Sequence, residues 1–255
     1  MTNLFPHVLT VDASGAIVGP ENVEANGKRV LVAGDPATFS DEQLQAVFQV
    51  IDDTQGMIFY MLTDDPGRLE VSWPPRVMYV LDYRCRPTVS SDRHHLNVII
   101  GVPCKTQAEA DRLIPELLKL SGLCHGLWVD LRGQTEEIDL RLPWIHHADG
   151  TVEKTSAIDF VTIGGIDTPI HPQWLRTIRD QCQAAGVALW FDGWGEHIPA
   201  SMHESCNTND RRLVSIEREA RHYAAGQSCD SIRVGSARSG HLLDGVEVRE
   251  TLEGE

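Results

Sequence analysis

The feature that most constrains this chain is an alternation. Short, nearly continuous apolar runs recur along it, and several are followed by amphipathic segments. Residues 29–33, 57–62, 77–81, 96–101, 127–130, 159–163 and 187–191 read as strands. Runs apolar on both faces belong in parallel sheets, where helices cover each side. The spacing predicts a helix over 41–52, with Leu44, Val47, Phe48 and Ile51 on one face, Ser40 as N-cap and Gln43 three residues on. A second helix runs to residue 120 from a Thr106 cap, with Glu109 at its third position. A third spans 171–185, with Pro172 in its first turn and Gly186 as a left-handed stop. Strand–helix alternation gives the α/β class with right-handed crossovers. About six core parallel strands suit a partial (β/α) barrel better than a closed eightfold one.

The chain has 255 residues, enough for a sizeable core, and a formal net charge of −15. That charge disfavours a nucleic-acid backbone or an anionic membrane as partner. No apolar run is long enough to span a bilayer, and the first residues lack a basic stretch followed by a long apolar one. A cytoplasmic protein is therefore expected. The six cysteines are dispersed, with no Cys-x-x-Cys pair, and read as reduced core residues.

In parallel α/β folds, function gathers at the carboxyl ends of the strands. The candidate rim there comprises Asp35, Asp64, Asp65, Asp130, Arg132, Gly164, Gly165, Asp167, Asp192, Trp194 and Glu196. Its carboxylates suit oxygen coordination of a divalent metal or an acid/base pair; equally, Asp caps helices and solvates loops. Gly164-Gly165 either cradles an anion or makes a tight turn. Trp194 either packs or stacks on a ligand. His197, His203, Cys206 and Cys229 form a weak zinc pattern, and none of the usual finger spacings is present. His94-His95 and His146-His147 read as loop residues.

Three stretches carry a resemblance: Ile163-Gly164-Gly165, the segment from His171 through Arg179-Asp180-Gln181-Cys182 to Val187, and Phe191-Asp192-Gly193-Trp194-Gly195-Glu196. Together they resemble a phage-associated, radical-SAM-like family of unknown function, over roughly residues 28–247. The resemblance implies a partial barrel of radical-SAM type and, in the family, an N-terminal cysteine loop holding an iron–sulfur cluster. Here no Cys precedes Cys85. The family's polar strand ends are also replaced: Asp64-Asp65 stand for Lys-Arg, Asp130-Leu131-Arg132-Gly133 for Ser-Ala-Glu-Pro, Ile166-Asp167 for Glu-Ser, and Asp192-Gly193 for Lys-Gln. Framework residues match and rim residues do not. No cluster, no other cofactor and no radical-SAM turnover are expected.

The chain thus reads as an N-terminal extension over 1–27, a partial barrel over 28–198 with a basic surface insertion at 82–95, and a helical or irregular extension over 199–255 packed on the barrel, helix-prone near 211–225 and frayed after Asp244. The expected function is that of a non-catalytic descendant of a radical-SAM-like barrel, binding a small ligand or a protein partner, in a host cytoplasm if phage-encoded. One alternative is a cluster-independent, carboxylate- or metal-dependent enzyme acting on a nucleotide or modified base. Another is an acidic inhibitor of a host DNA-binding protein.

Overall fold

The computed structural model describes residues 4–11, 17–19, 28–54, 56–81, 87–92, 94–142, 144–146, 152–154, 158–202, 213–217 and 228–250. In chain order its elements are β1 (His7–Val11), β2 (Ile17–Val18), β3 (Lys28–Val32), α1 (Asp41–Asp53), β4 (Met57–Leu62), α2 (Pro66–Ser72), β5 (Arg76–Leu81), β6 (Pro87–Asp92), β7 (His95–Pro103), α3 (Gln107–Leu118), β8 (Cys124–Asp130), β9 (Trp144–His146), β10 (Val152–Lys154), β11 (Phe160–Ile163), α4 (Pro172–Ala185), β12 (Ala188–Phe191), β13 (His197–Pro199), β14 (Leu213–Glu217), β15 (Ser228–Arg233), α5 (Ser236–Ser239), β16 (Leu242–Leu243) and β17 (Val246–Glu247).

The α/β class is as expected. An eight-stranded sheet runs in the order β12-β11-β8-β7-β4-β3-β1-β2 and does not close into a barrel. Parallel pairs join β1 to β3, β3 to β4, β4 to β7, β8 to β11 and β11 to β12. β2 is antiparallel to β1.

The segment before residue 28, expected as an N-terminal extension, adds β1 to the sheet: His7, Val8 and Leu9 pair with Val30, Leu31 and Val32. Other expectations are corrected. Residues 77–81, expected in the core, form β5, which among the described residues pairs with β6 in a separate two-stranded sheet. Arg84, Arg86 and Arg93 of the expected insertion lie outside the described residues. His95 is no loop residue: it opens β7 and is fully buried. The expected helix near 211–225 is, over Leu213–Glu217, the strand β14 paired with β15. Leu213-Val214-Ser215-Ile216 carries two β-branched aliphatic residues, and tertiary pairing overrides a weak helical preference. The tail is docked rather than frayed as far as Glu250, whose N–H donates to the Leu189 carbonyl (2.9 Å).

Two compact units make up the chain: Met1–Val102 with Pro115–Leu127, and Pro103–Ile114 with Trp128–Glu255. In the first, α1 starts at the expected capping box, with Ser40 and Gln43 bonding each other's backbone amides. It buries Leu44, Val47, Phe48 and Ile51. Phe48 meets Trp73 edge-on at 4.9 Å and the His95 ring at 4.6 Å. His95 lies 3.1 Å from Asp52 Oδ1 and 3.2 Å from the Pro74 carbonyl, so its polar atoms are satisfied inside an aromatic cluster.

In the second unit, α4 begins at His171, whose Nδ1 accepts the Gln173 N–H, and stops at Gly186 with φ 65°. Its apolar face buries Trp174, Leu175, Ile178 and Cys182. The segment 138–140 lacks regular structure and is held by two glutamines. Gln107 accepts the Asp139 N–H (2.7 Å) and donates to the Asp139 carbonyl (3.0 Å). Gln181 accepts the Leu140 N–H (2.8 Å) and donates to the Ile138 carbonyl (3.1 Å). Each amide thus substitutes for a strand neighbour and keeps buried backbone paired.

Candidate functional site

Parallel pairing sets the carboxyl ends of β8, β11 and β12 side by side: Asp130 is in register with Thr162, and Ile163 with Phe191, the residue before Asp192. This register assembles a polar chain from the core outward. The Trp128 indole N–H donates to Thr162 Oγ1 (2.9 Å), and that hydroxyl donates to Asp130 Oδ1 (2.7 Å). Arg132 then clasps the same carboxylate, Nε to Oδ1 and Nη2 to Oδ2, both at 2.8 Å. Its backbone N–H donates to Oδ1 as well (3.2 Å), and its Nη1 reaches Asp192 Oδ2 (3.1 Å).

The Asp130 side chain is 9% exposed and that of Asp192 38%, so the network runs from a buried anion to a solvent-facing one. Burial alone makes the Arg132 cation less favourable, but the Asp130 hydrogen bonds and charge, with those of Asp192, outweigh it and raise its proton affinity above the ordinary value. Asp130 accepts four hydrogen bonds, three on Oδ1 and one on Oδ2, so both oxygens are engaged and Oδ1 is crowded with donors. The carboxylate holds Arg132 in one orientation, through a bidentate pairing that also carries geometric precision.

The other predicted carboxylates of the second unit stand apart from this chain. Asp167 is exposed. Glu196 accepts from Arg233 Nε and Nη2, each at 3.1 Å. Trp194 is buried, donates its indole N–H to the Leu242 carbonyl (3.0 Å) and meets Phe191 edge-on at 5.3 Å. It packs rather than offering a stacking face.

Gly164 and Gly165 form a close backbone contact, the tighter of the two options. The Gly165 N–H donates to the Gly193 carbonyl (2.9 Å). A Cβ at Gly165 would collide with the Trp194 carbonyl, and one at Gly195 (φ 68°) with the backbone of Gly165 and Ile166. Glycine is required here because two loops touch through their main chains.

In the first unit, Asp35 accepts the Ala37 N–H (2.9 Å) and the Asp64 N–H (3.2 Å), and Asp65 caps α2 through the Arg68 N–H (2.9 Å). These are the capping roles that Asp is suited to. Asp64 is exposed.

For the zinc pattern, His203 and Cys206 lie outside the described residues. His197 is in register with Arg233, four positions along β15 from Cys229, a separation of about 13 Å. His197 and Cys229 therefore do not share a metal. Burial, then the Arg233 charge, lowers the His197 pKa from its ordinary 6.5. Among the described residues no three His, Cys, Asp or Glu side chains converge to hold a metal ion. Of the described thiols, Cys124 bonds the Leu120 and Gly126 carbonyls, and burial pushes the Cys182 thiol up to about 12. Cys85 lies outside the described residues.

Sequence reasoning placed Asp130, Arg132 and Asp192 on one rim, and the structure joins them. It missed Thr162 and Trp128, which sit inside an apolar run. The only available signal was a Thr in register with the terminal Asp of the neighbouring strand.

A family profile described as a protein of unknown function (DUF5131) matches residues 30–251, and the chain belongs to that family. No curated protein and no solved structure matches the chain. The matched range agrees with the extent of the sequence resemblance. The family's description carries neither a phage association nor a radical-SAM relationship.

Proposed function

We propose that this member of the DUF5131 family is a non-catalytic binding protein, descended from a radical-SAM-like, phage-type partial barrel, whose strand-end rim holds a small ligand or a protein partner. One observation carries this reading: the rim carboxylate best placed for chemistry, Asp130, has both oxygens engaged by Arg132 and a third donor in Thr162. A general base must lie within reach of the proton it takes, and the Asp130 side chain is only 9% exposed. A metal ligand needs an oxygen clear of cationic donors, and both Asp130 oxygens already accept from the Arg132 guanidinium. The capping work of Asp35 and Asp65 supports the same view, since those carboxylates serve the fold.

On this reading the rim presents shape and fixed charge, with Arg132 and Asp192 as the polar contact. No helix among the described residues is long and apolar enough to cross a bilayer. Anaerobic reconstitution with iron and sulfide tests the proposal. A protein that stays colourless is expected, and a brown, cluster-bearing one sinks the reading. A thermal-shift screen of nucleotides, nucleobases and divalent metals supplies the second arm. A metal that raises the melting temperature in wild type but not in Asp130→Asn would instead favour carboxylate-based enzyme chemistry.

A further inference from the structure

β12 has one neighbour in the large sheet, β11. Its other edge carries the outward N–H and C=O groups of Leu189 and Phe191, a template on which another strand can pair. Residues 248–250 cover it. The Phe191 N–H donates to the Val248 carbonyl (2.8 Å), and the Glu250 N–H to the Leu189 carbonyl (2.9 Å). The Leu189 N–H donates to Glu250 Oε2 (3.1 Å), and Trp190 faces Arg249 in an antiparallel bridge.

The hold on this covering segment is polar and local. Asp244, at φ 53° in the turn between β16 and β17, accepts from Arg176 Nε (3.0 Å) and Nη2 (2.6 Å) and from Arg179 Nη1 (3.0 Å). Trp194 ties in through the Gly240 and Leu242 carbonyls. Of the apolar residues here only Leu243 is buried; Leu242 is 46% and Val246 61% exposed. A segment with so little apolar burial belongs to the part of a protein that opens most easily. Beneath it lies Ala188-Leu189-Trp190-Phe191, an apolar and aromatic strand suited to pairing.

We propose that residues 240–250 are a displaceable guard strap, and that the β12 edge beneath is a strand-addition surface taken by β12 of a second copy of this chain when the strap lifts. Antiparallel pairing about a two-fold axis gives the Leu189 and Phe191 backbone groups of both copies a partner, as a self-complementary interface requires. Nothing else on the edge has to change, because the strap already shows the hydrogen bonds that a replacement strand makes.

The full-length double variant Asp244→Ala/Glu250→Pro tests this against wild type. The first change removes the ionic anchor and the second the amide that donates to Leu189. Amide exchange at Phe191 is expected to quicken by about tenfold or more, the mark of a local opening. Sedimentation is expected to show stronger, concentration-dependent dimerisation than wild type, reversed by excess synthetic peptide of residues 240–250. Unchanged exchange at Phe191 overturns the strap. Fast exchange without added association overturns the strand-addition surface. If the double variant does not fold, Asp244→Ala alone is measured in the same two ways, and the same two results overturn the strap and the surface.

Discussion

Arg132→Met removes the guanidinium and keeps most of the aliphatic stem, so it isolates the charge network from packing. Three side-chain hydrogen bonds disappear: two to Asp130 at 2.8 Å and one to Asp192 at 3.1 Å. Asp130, 9% exposed, is left with Thr162 Oγ1 and one backbone N–H. Stranding one partner of a fully buried pair costs about 3–5 kcal/mol. Arg132 is 22% exposed and two donors remain on Asp130, so the cost falls below that scale, to about 2 kcal/mol. The bond to Asp192, 38% exposed, adds at most about 1 kcal/mol. The expected loss is about 2–3 kcal/mol, or about 5–10 °C in melting temperature for a chain of this size. Urea is the denaturant to use, because guanidinium is itself a salt that screens the pair. Tryptophan fluorescence reports the transition, and Trp128 is a member of the network. A double-mutant cycle with Asp130→Asn is expected to show coupling of about 1–2 kcal/mol. A cost under about 0.5 kcal/mol, or additivity of the two changes, would refute the view that this pair serves the fold.

Gly165→Ala is expected to destabilise by more than about 2 kcal/mol, because the new methyl meets a backbone carbonyl that cannot swing aside; a melting curve within about 1 °C of wild type refutes the close approach. Asp65→Ala removes the α2 cap and is expected to cost about 1 kcal/mol by urea titration, with little effect on any binding measured at Arg132. His197 has a folded pKa below its ordinary 6.5, so its contribution to stability is complete above that value and is lost as pH falls through the folded one. Stability measured from pH 7.5 down to 5 should therefore decline less steeply in His197→Gln than in wild type. Cys182, whose thiol is pushed up to about 12, should resist a thiol reagent at pH 8 in the native protein and react once urea unfolds it.

Local chemistry was legible in the residues wherever one short window specifies an outcome. Ser40 with Gln43 caps α1, and Thr106 with Glu109 caps α3 through the same reciprocal bonds. Gly186 ends α4 because a left-handed residue is needed there. Apolar runs identified most of the parallel strands, since a strand buried on both faces must be apolar throughout. What a window cannot hold is the partner. His7–Val11 looked like an extension because its pairing strand begins at Lys28. Residues 77–81 looked like core, yet their partner is the neighbouring β6 and not the large sheet.

The same division runs through the candidate site. The sequence by itself determined the α/β class, the approximate limits of α1, α3 and α4, and the placing of acidic residues at strand ends, because periodicity and capping act over a few residues. Only the tertiary structure decided what those acids do. Asp130 could have been a base, a metal ligand or a cap until strand register brought Thr162 beside it and Arg132 folded back onto it. A carboxylate's role is set by who donates to it, and those donors come from residues 2 and 32 positions away, brought within 3 Å by packing alone.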